Sequence, residues 1–230
     1  AGPQTAAQAA AGFGPPAVGN VEHYDGSSWT ETTDVNTART AATHGGIQTS
    51  SLITGGSTAL AVTEEWNGSA WTEVNDLNTG RRQLAMSTNG NAEGAVAFGG
   101  YAPPTGGPVG YTNITETWNG SSWTEAGDLN TSRAALTGTD ASSTAALAIA
   151  GYRGPPTADR TKFVEEWNGS AWTEIAEVNT ARFNAGASGA TPSAVLFGGS
   201  NPDYASTEQW DGSSWTEVAD LADARAGFAS

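Results

Sequence analysis

Cysteine is absent from the 230 residues, so neither a disulfide framework nor a thiolate metal site can form. Histidine occurs twice, at His23 and His44, with no zinc spacing. No Asp-rich loop with alternating ligand spacing is present, so no calcium loop, metal or other cofactor is expected. Basic residues are few: nine Lys and Arg against 24 Asp and Glu leave a net charge of −15. Such a chain repels nucleic acid phosphates and anionic lipid and favours solubility or basic partners. No apolar run is long enough to span a bilayer as a helix, so no membrane insertion is expected. The chain starts at Ala1 without a leader pattern, and is read as a processed or excised product whose destination the sequence does not carry.

What the chain has in quantity is Gly, Trp and repetition. One phrase occurs five times: an aromatic, Asn or Asp, Gly, Ser, Ser or Ala, Trp, Thr, Glu. The copies run from Tyr24 to Glu31, Trp66 to Glu73, Trp118 to Glu125, Trp167 to Glu174 and Trp210 to Glu217, and they contain all nine Trp. Before each copy comes an apolar run ending in glycine, such as Ser51 to Gly56, Gly94 to Gly100, Ala146 to Gly151 and Ala194 to Gly199. After it comes a turn ending in arginine, as in Asp34 to Arg39, and then a stretch of small residues. Each unit thus holds four short segments bounded by turn residues. A period of roughly 40–50 residues with four strands per unit specifies a β-propeller.

The expected fold is therefore all-β: one domain over residues 1–230, a five-bladed propeller of four-stranded antiparallel blades. Blade 1 combines 225–230 with 5–33, blade 2 spans 39–75, blade 3 81–127, blade 4 133–176 and blade 5 182–219. The chain ends at the start of an innermost strand and begins with a glycine-ended one, from Thr5 to Gly14. Joined, the two complete one blade, with the segment near Ala6 to Phe13 pairing with Arg225 to Ser230, which removes open sheet edges.

These elements resemble the kelch repeat over nearly the whole chain. The Gly-Gly pair would end the second strand, an aromatic would sit on the third, the Trp on the fourth, and an Arg would lead into the next innermost strand. Trp replaces the usual Tyr here, and five units are fewer than most members have. The wording Trp-Asn-Gly-Ser-Ser-Trp-Thr-Glu is most similar to kelch-like repeats of marine phage and bacterial structural proteins. That resemblance implies a virion appendage or other extracellular assembly. The copper enzymes of the class use a Cys-Tyr cross-link and histidines, which this chain does not have.

The repeated residues divide by role. The closing Trp29, Trp71, Trp123, Trp172 and Trp215 fit packing between blades better than stacking on sugars, because a large ring fills the wedge between twisted sheets. Arg39, Arg81, Arg133, Arg182 and Arg225 form a ring that either braces the blades or meets an acidic ligand at the channel mouth. In the bracing reading, each pairs with a Glu on a neighbouring strand or with the acid opening its turn, as a partly exposed ion pair worth about 0–1 kcal/mol. The string Asp25 to Trp29 is also similar to the Asp box of sialidases, itself a turn, with its Trp one residue early.

Specificity must come from what the blades do not share. The loop after the glycine-ended strand runs 57–61 in blade 2 but 101–113, 152–162 and 200–205 in the next three. These loops hold Tyr101, Tyr111, Tyr152 and Tyr204 with Arg153, Arg160 and Lys162, residue types that anchor interfaces. The expected function is non-enzymatic recognition of a protein or glycan through this face. The alternatives are a sialidase-like propeller glycosidase, requiring two carboxylates facing one pocket, and a purely structural, self-assembling subunit.

Overall fold

The hairpin inside each repeated phrase is set by its Asn or Asp. In the computed structural model, which describes residues 1–102, 110–139, 142–154, 159–200 and 202–227, Asn67 Oδ1 accepts the Ser69 and Ala70 amides at 3.0 and 3.1 Å. Gly68 takes φ +94°, a conformation that a side chain at that position would strain. Asp25 and Asp211 make the same turn, and their carboxyls are held at about 2 by the Ser28 and Ser214 amides first, then by the Ser27 and Ser213 hydroxyls and amides. With the turn fixed, the flanking aromatics fall directly opposite one another, as Trp66 opposite Trp71 with ring centroids 5.5 Å apart.

Each hairpin supplies the outer two strands of one sheet. Blade 1 shows β1 (Ala7–Gly12), β2 (Val18–Tyr24) and β3 (Trp29–Glu31). Blade 2 has β4 (Thr43–Ile47), β5 (Ser50–Thr54), β6 (Thr63–Trp66) and β7 (Trp71–Val74). Blade 3 has β8 (Ala85–Thr88), β9 (Ala95–Phe98), β10 (Thr115–Trp118) and β11 (Trp123–Glu125). Blade 4 has β12 (Thr137–Gly138), β13 (Ala146–Ile149), β14 (Val164–Trp167) and β15 (Trp172–Ile175), and blade 5 has β16 (Gly186–Ala190), β17 (Ser193–Phe197), β18 (Thr207–Trp210) and β19 (Trp215–Val218). Every pairing is antiparallel between consecutive strands, and no helix occurs among the described residues. This is the expected five-bladed propeller. Of the segment expected to complete blade 1, residues 228–230 lie outside the described residues.

The innermost strands are small because they crowd the axis: a Cβ added at Gly45 would lie 2.6 Å from Thr88 Cγ2. Where each of these strands begins, one residue turns left-handed: Ala41, Gln83, Ala135, Asn184 and Gly227, with φ between 51° and 72°. Left-handed backbone costs a non-glycine residue roughly 1–2 kcal/mol. Here it aims each amide at the preceding carbonyl, Gln83 to Ala41, Ala135 to Gln83, Asn184 to Ala135 and Gly227 to Asn184, all within 3.0 Å. A second ring lies outside it, in which the glycine after each second strand donates to an arginine carbonyl: Gly12 to Arg39, Gly56 to Arg81, Gly100 to Arg133, Gly151 to Arg182 and Gly199 to Arg225. Arg225 thus occupies the place in the ring that the repeat assigns it.

The arginine side chains depart from the sequence expectation. Arg39, Arg81, Arg133 and Arg182 pair with Glu64, Glu116, Glu165 and Glu208, on the third strand of the same blade, and all eight side chains are fully buried rather than partly exposed. The reason is the donor set around each carboxylate. Glu116 accepts the Asn78 amide at 2.7 Å, the Asn78 Nδ2 at 2.8 Å and the Thr79 amide at 3.4 Å, besides Arg81 Nη2 at 2.9 Å. The guanidinium donates through Nη1 to the Gly99 and Ile114 carbonyls and through Nε to the Thr79 carbonyl. Burial still works against the cation, and Arg133 is pushed down to about 10 although Glu165 opposes the shift.

Among the described residues, four apolar clusters lie between the blades, one for each junction from blade 1/2 to blade 4/5. In each, the closing Trp packs against the preceding blade, and Trp123 and Trp172 donate Nε1 to Thr63 and Thr115 Oγ1 there. The first Trp of each pair instead caps its own blade, as Trp118 Nε1 does on the Ala92 carbonyl. Trp29 and Arg225 differ from their counterparts: the indole is 50% exposed and the guanidinium 56% exposed.

Two outcomes follow. Glu165→Gln should destabilise the protein by about 3–5 kcal/mol in chemical denaturation, because it leaves Arg133 buried without its counter-charge. Trp123→Ala should cost a similar ~3–5 kcal/mol, the range for truncating a large buried aromatic.

Candidate functional site

The long loops leave the blades as extensions of the sheets. Arg82 and Tyr101 exchange backbone hydrogen bonds at 3.0 and 2.7 Å, and Tyr101 in turn bridges to Tyr111. In blade 4, Ala134, Tyr152 and Arg160 repeat the arrangement, and in blade 5 Phe183 pairs with Ser200. The side chains consequently line up across three blades. Tyr101 meets Tyr111 edge-on at 5.4 Å, Tyr111 meets Tyr152 at 5.8 Å, and Tyr152 meets Phe183 at 5.5 Å. Arg82 stacks over the Tyr101 ring at 4.7 Å. All five side chains are half-buried, which leaves this arc both supported and reachable. Desolvation, then the neighbouring Tyr152 and Tyr101, raise the Tyr111 phenol above its ordinary range.

Of the seven loop residues that the sequence singles out, three form this arc. Tyr204 lies apart, with the buried Arg182 guanidinium over its ring at 5.6 Å. Arg153 makes a two-pronged pair with Asp159, both bonds 3.0 Å, so its charge is already matched. Arg160 and Lys162 are exposed on the same loop. Residues 103–109, 155–158 and 201 of the three loops lie outside the described residues. Arg82 and Phe183 were not legible as members, because each follows a ring arginine where other blades carry Thr40, Ala134 or Ala226.

A cavity of about 520 Å³ follows the axis, lined by β1 and by the innermost segments of the blades, with Phe13 at its rim. Phe13 follows Gly12 as Tyr101 follows Gly100, and is 89% exposed. Among the described residues, no Asp or Glu lines the cavity. Polar side chains reach it from several blades, Gln8, His44, Gln83 and Asn184 among them, and Gln8 replaces the apolar residue found at Leu52 or Leu147. Gln8 Oε1 accepts from His44 Nε2 at 2.9 Å and from Ser51 Oγ at 2.6 Å, and Gln8 Nε2 meets His23 Nε2 at 2.9 Å. With the Gln8 amide in this orientation, His44 Nε2 is the donor and His23 Nε2 the acceptor. The two histidines, lone in sequence, are bridged by one amide. Among the described residues no group of three or more His, Cys, Asp or Glu could hold a metal.

Comparison with known proteins adds the fold and nothing finer. No family model matches the chain, and no curated protein does. The solved structure of YjhT superposes with a TM-score of 0.73 over 94% of this chain and 81% of that one, at 14% identity. The chain is a β-propeller. It shares that architecture with many solved chains, 178 of which match, so the fold selects no activity.

His44 makes a pH prediction. Burial first, then the charges of the N-terminus and His23, lower its pKa from 6.5 to about 3. The unfolded chain therefore binds a proton that the folded one refuses, and stability falls as pH drops from 6.5 towards 3. His44→Met, the residue at this register in blade 3, should remove up to about 1.4 kcal/mol per pH unit of that slope. Equal slopes in the two proteins would show that His44 is not the group responsible.

Proposed function

We infer that this propeller is a non-enzymatic recognition module that docks a protein or glycan partner on the face carrying the Tyr101–Tyr111–Tyr152–Phe183 arc. The observation that carries this reading is the arc's continuity: four aromatic rings in contact across blades 3 to 5, built from positions where the blades differ. Half-buried Tyr side chains braced by neighbours offer large contact area at low entropic cost. The repeated third-strand carboxylates are meanwhile committed, since Glu64, Glu116, Glu165 and Glu208 are fully buried against arginines. Among the described residues the cavity lining offers no pair of carboxylates either, which weighs against the glycosidase alternative. The setting that suits such a module, from the resemblance of its repeat to those of marine phage and bacterial structural proteins, is a virion appendage or another extracellular assembly.

A glycan array and an immobilised peptide library would supply a ligand. With that ligand, Tyr111→Ala and Tyr152→Ala should each weaken binding roughly thirtyfold, about 2 kcal/mol, with the melting temperature nearly unchanged. Unchanged affinity in both variants would place the site elsewhere. Turnover of a chromogenic sialoside would overturn the non-enzymatic reading.

A further inference from the structure

Each hairpin turn of the repeated phrase places three donors on one side-chain oxygen. Asn67 Oδ1 accepts the Ser69 amide at 3.0 Å, the Ser69 hydroxyl at 2.9 Å and the Ala70 amide at 3.1 Å. Asn119 and Asn168 repeat the set at 2.9–3.0 Å. Asp25 and Asp211 hold it at 2.7–2.9 Å, the shortening expected when the acceptor is charged. Their carboxyls are pulled below the usual range, first by the Ser28 and Ser214 amides. This turn therefore favours negative charge on Oδ1.

Donors that favour an anion on a carbonyl oxygen form an oxyanion hole for attack on its carbon. In blades 2, 3 and 4 that carbon is the Cγ of an amide, and a glycine follows it. The N–H groups of Gly68, Gly120 and Gly169 make no hydrogen bond among the described residues, and neither do the Nδ2 groups of the three Asn. All six residues are exposed. A nucleophile and a leaving group are thus both free, while the carbonyl between them is polarised.

We propose that Asn67, Asn119 and Asn168 are self-modification sites, deamidated in the folded protein with the help of the turn's own donors. The Gly68 nitrogen loses its proton to water and bonds to Asn67 Cγ, while Oδ1 carries the developing charge. Collapse of this adduct breaks the Cγ–Nδ2 bond, and Nδ2 takes up a proton and leaves as ammonia. Water then opens the cyclic imide to Asp or isoaspartate. One water is consumed and one ammonia released at each site. An Asp formed there stands in the turn that Asp25 and Asp211 already build, and each conversion adds one negative charge to a chain at −15.

The remaining Asn-Gly pair is a reference within the same chain. Asn89 Oδ1 accepts the Ser143 amide at 2.7 Å but the Ser142 hydroxyl only at 3.4 Å, and the Gly90 N–H is committed to Thr88 Oγ1 at 3.3 Å. In mildly alkaline buffer, peptide mapping of the native protein should show the three hairpin sites converting about tenfold faster than Asn89. They should also convert faster than the same sites in the urea-unfolded chain. Ser69→Ala should slow Asn67 about threefold against Asn119 and Asn168 in the same molecule, a ratio absent from the urea-unfolded variant. The proposal is overturned if the three sites convert no faster folded than unfolded, or if Ser69→Ala leaves the native ratio unchanged.

Discussion

Each well-formed junction depends on a carboxylate that accepts more bonds than one arginine can give. Glu64, Glu116, Glu165 and Glu208 each gather backbone amide, Asn side chain and guanidinium into one fully buried site. A buried ion pair alone is weak evidence of stability, because desolvation offsets attraction. Here the carboxylate also satisfies amides of a turn that the blade itself buries, and an apolar replacement would leave those amides orphaned. The pair therefore fixes where the inter-blade turn lies against the third strand, and with it the angle at which the next blade leaves. Packing by Trp fills the wedge that this angle creates.

The repeat made most of this legible. Five spaced copies of one phrase gave the blade count and the strand order, and they narrowed the partner of each arginine to an acid of the repeat or an acidic ligand without choosing between them. Burial was not legible. Asn36 and Thr37 read as turn formers, and their convergence on Glu64 exists only once the turn has folded onto β6. Gln8 sat unnoticed in a run of small residues, and with it the link between His23 and His44. The common reading of Trp29 and Arg225 with their counterparts assumed that identical residues have identical surroundings. At the last junction the neighbours Ala222 and Asp223 differ, and the side chains end up exposed.

Blade 1 carries its differences inside. Where other blades pack Leu or Val from the second strand, it packs an amide between two imidazoles. It also shows an exposed Trp at one junction and an unpartnered Trp71 Nε1 at the other. The latter follows from register: Trp123 and Trp172 find Thr63 and Thr115 on the blade before, whereas Trp71 finds Val21 and Trp215 finds Val164. The repeat tolerates such losses singly because each costs about one hydrogen bond.

Blades 3 to 5 carry their differences outside. A column of identical residues presents the same chemistry at every blade, and by symmetry it cannot orient an asymmetric partner. The aromatic arc breaks that symmetry. It starts at Arg82 and Tyr101, passes through Tyr111 and Tyr152, and stops at Phe183, because Ser200 and Ser57 stand where an aromatic would continue it. The repeated residues hold the backbone at the base of each loop with the bonds of the glycine and arginine ring, so the arc rests on the most over-determined part of the molecule. Repeated scaffold and variable loop are thereby separated in the fold, and Arg82 is a cation held against the arc in a chain of net charge −15.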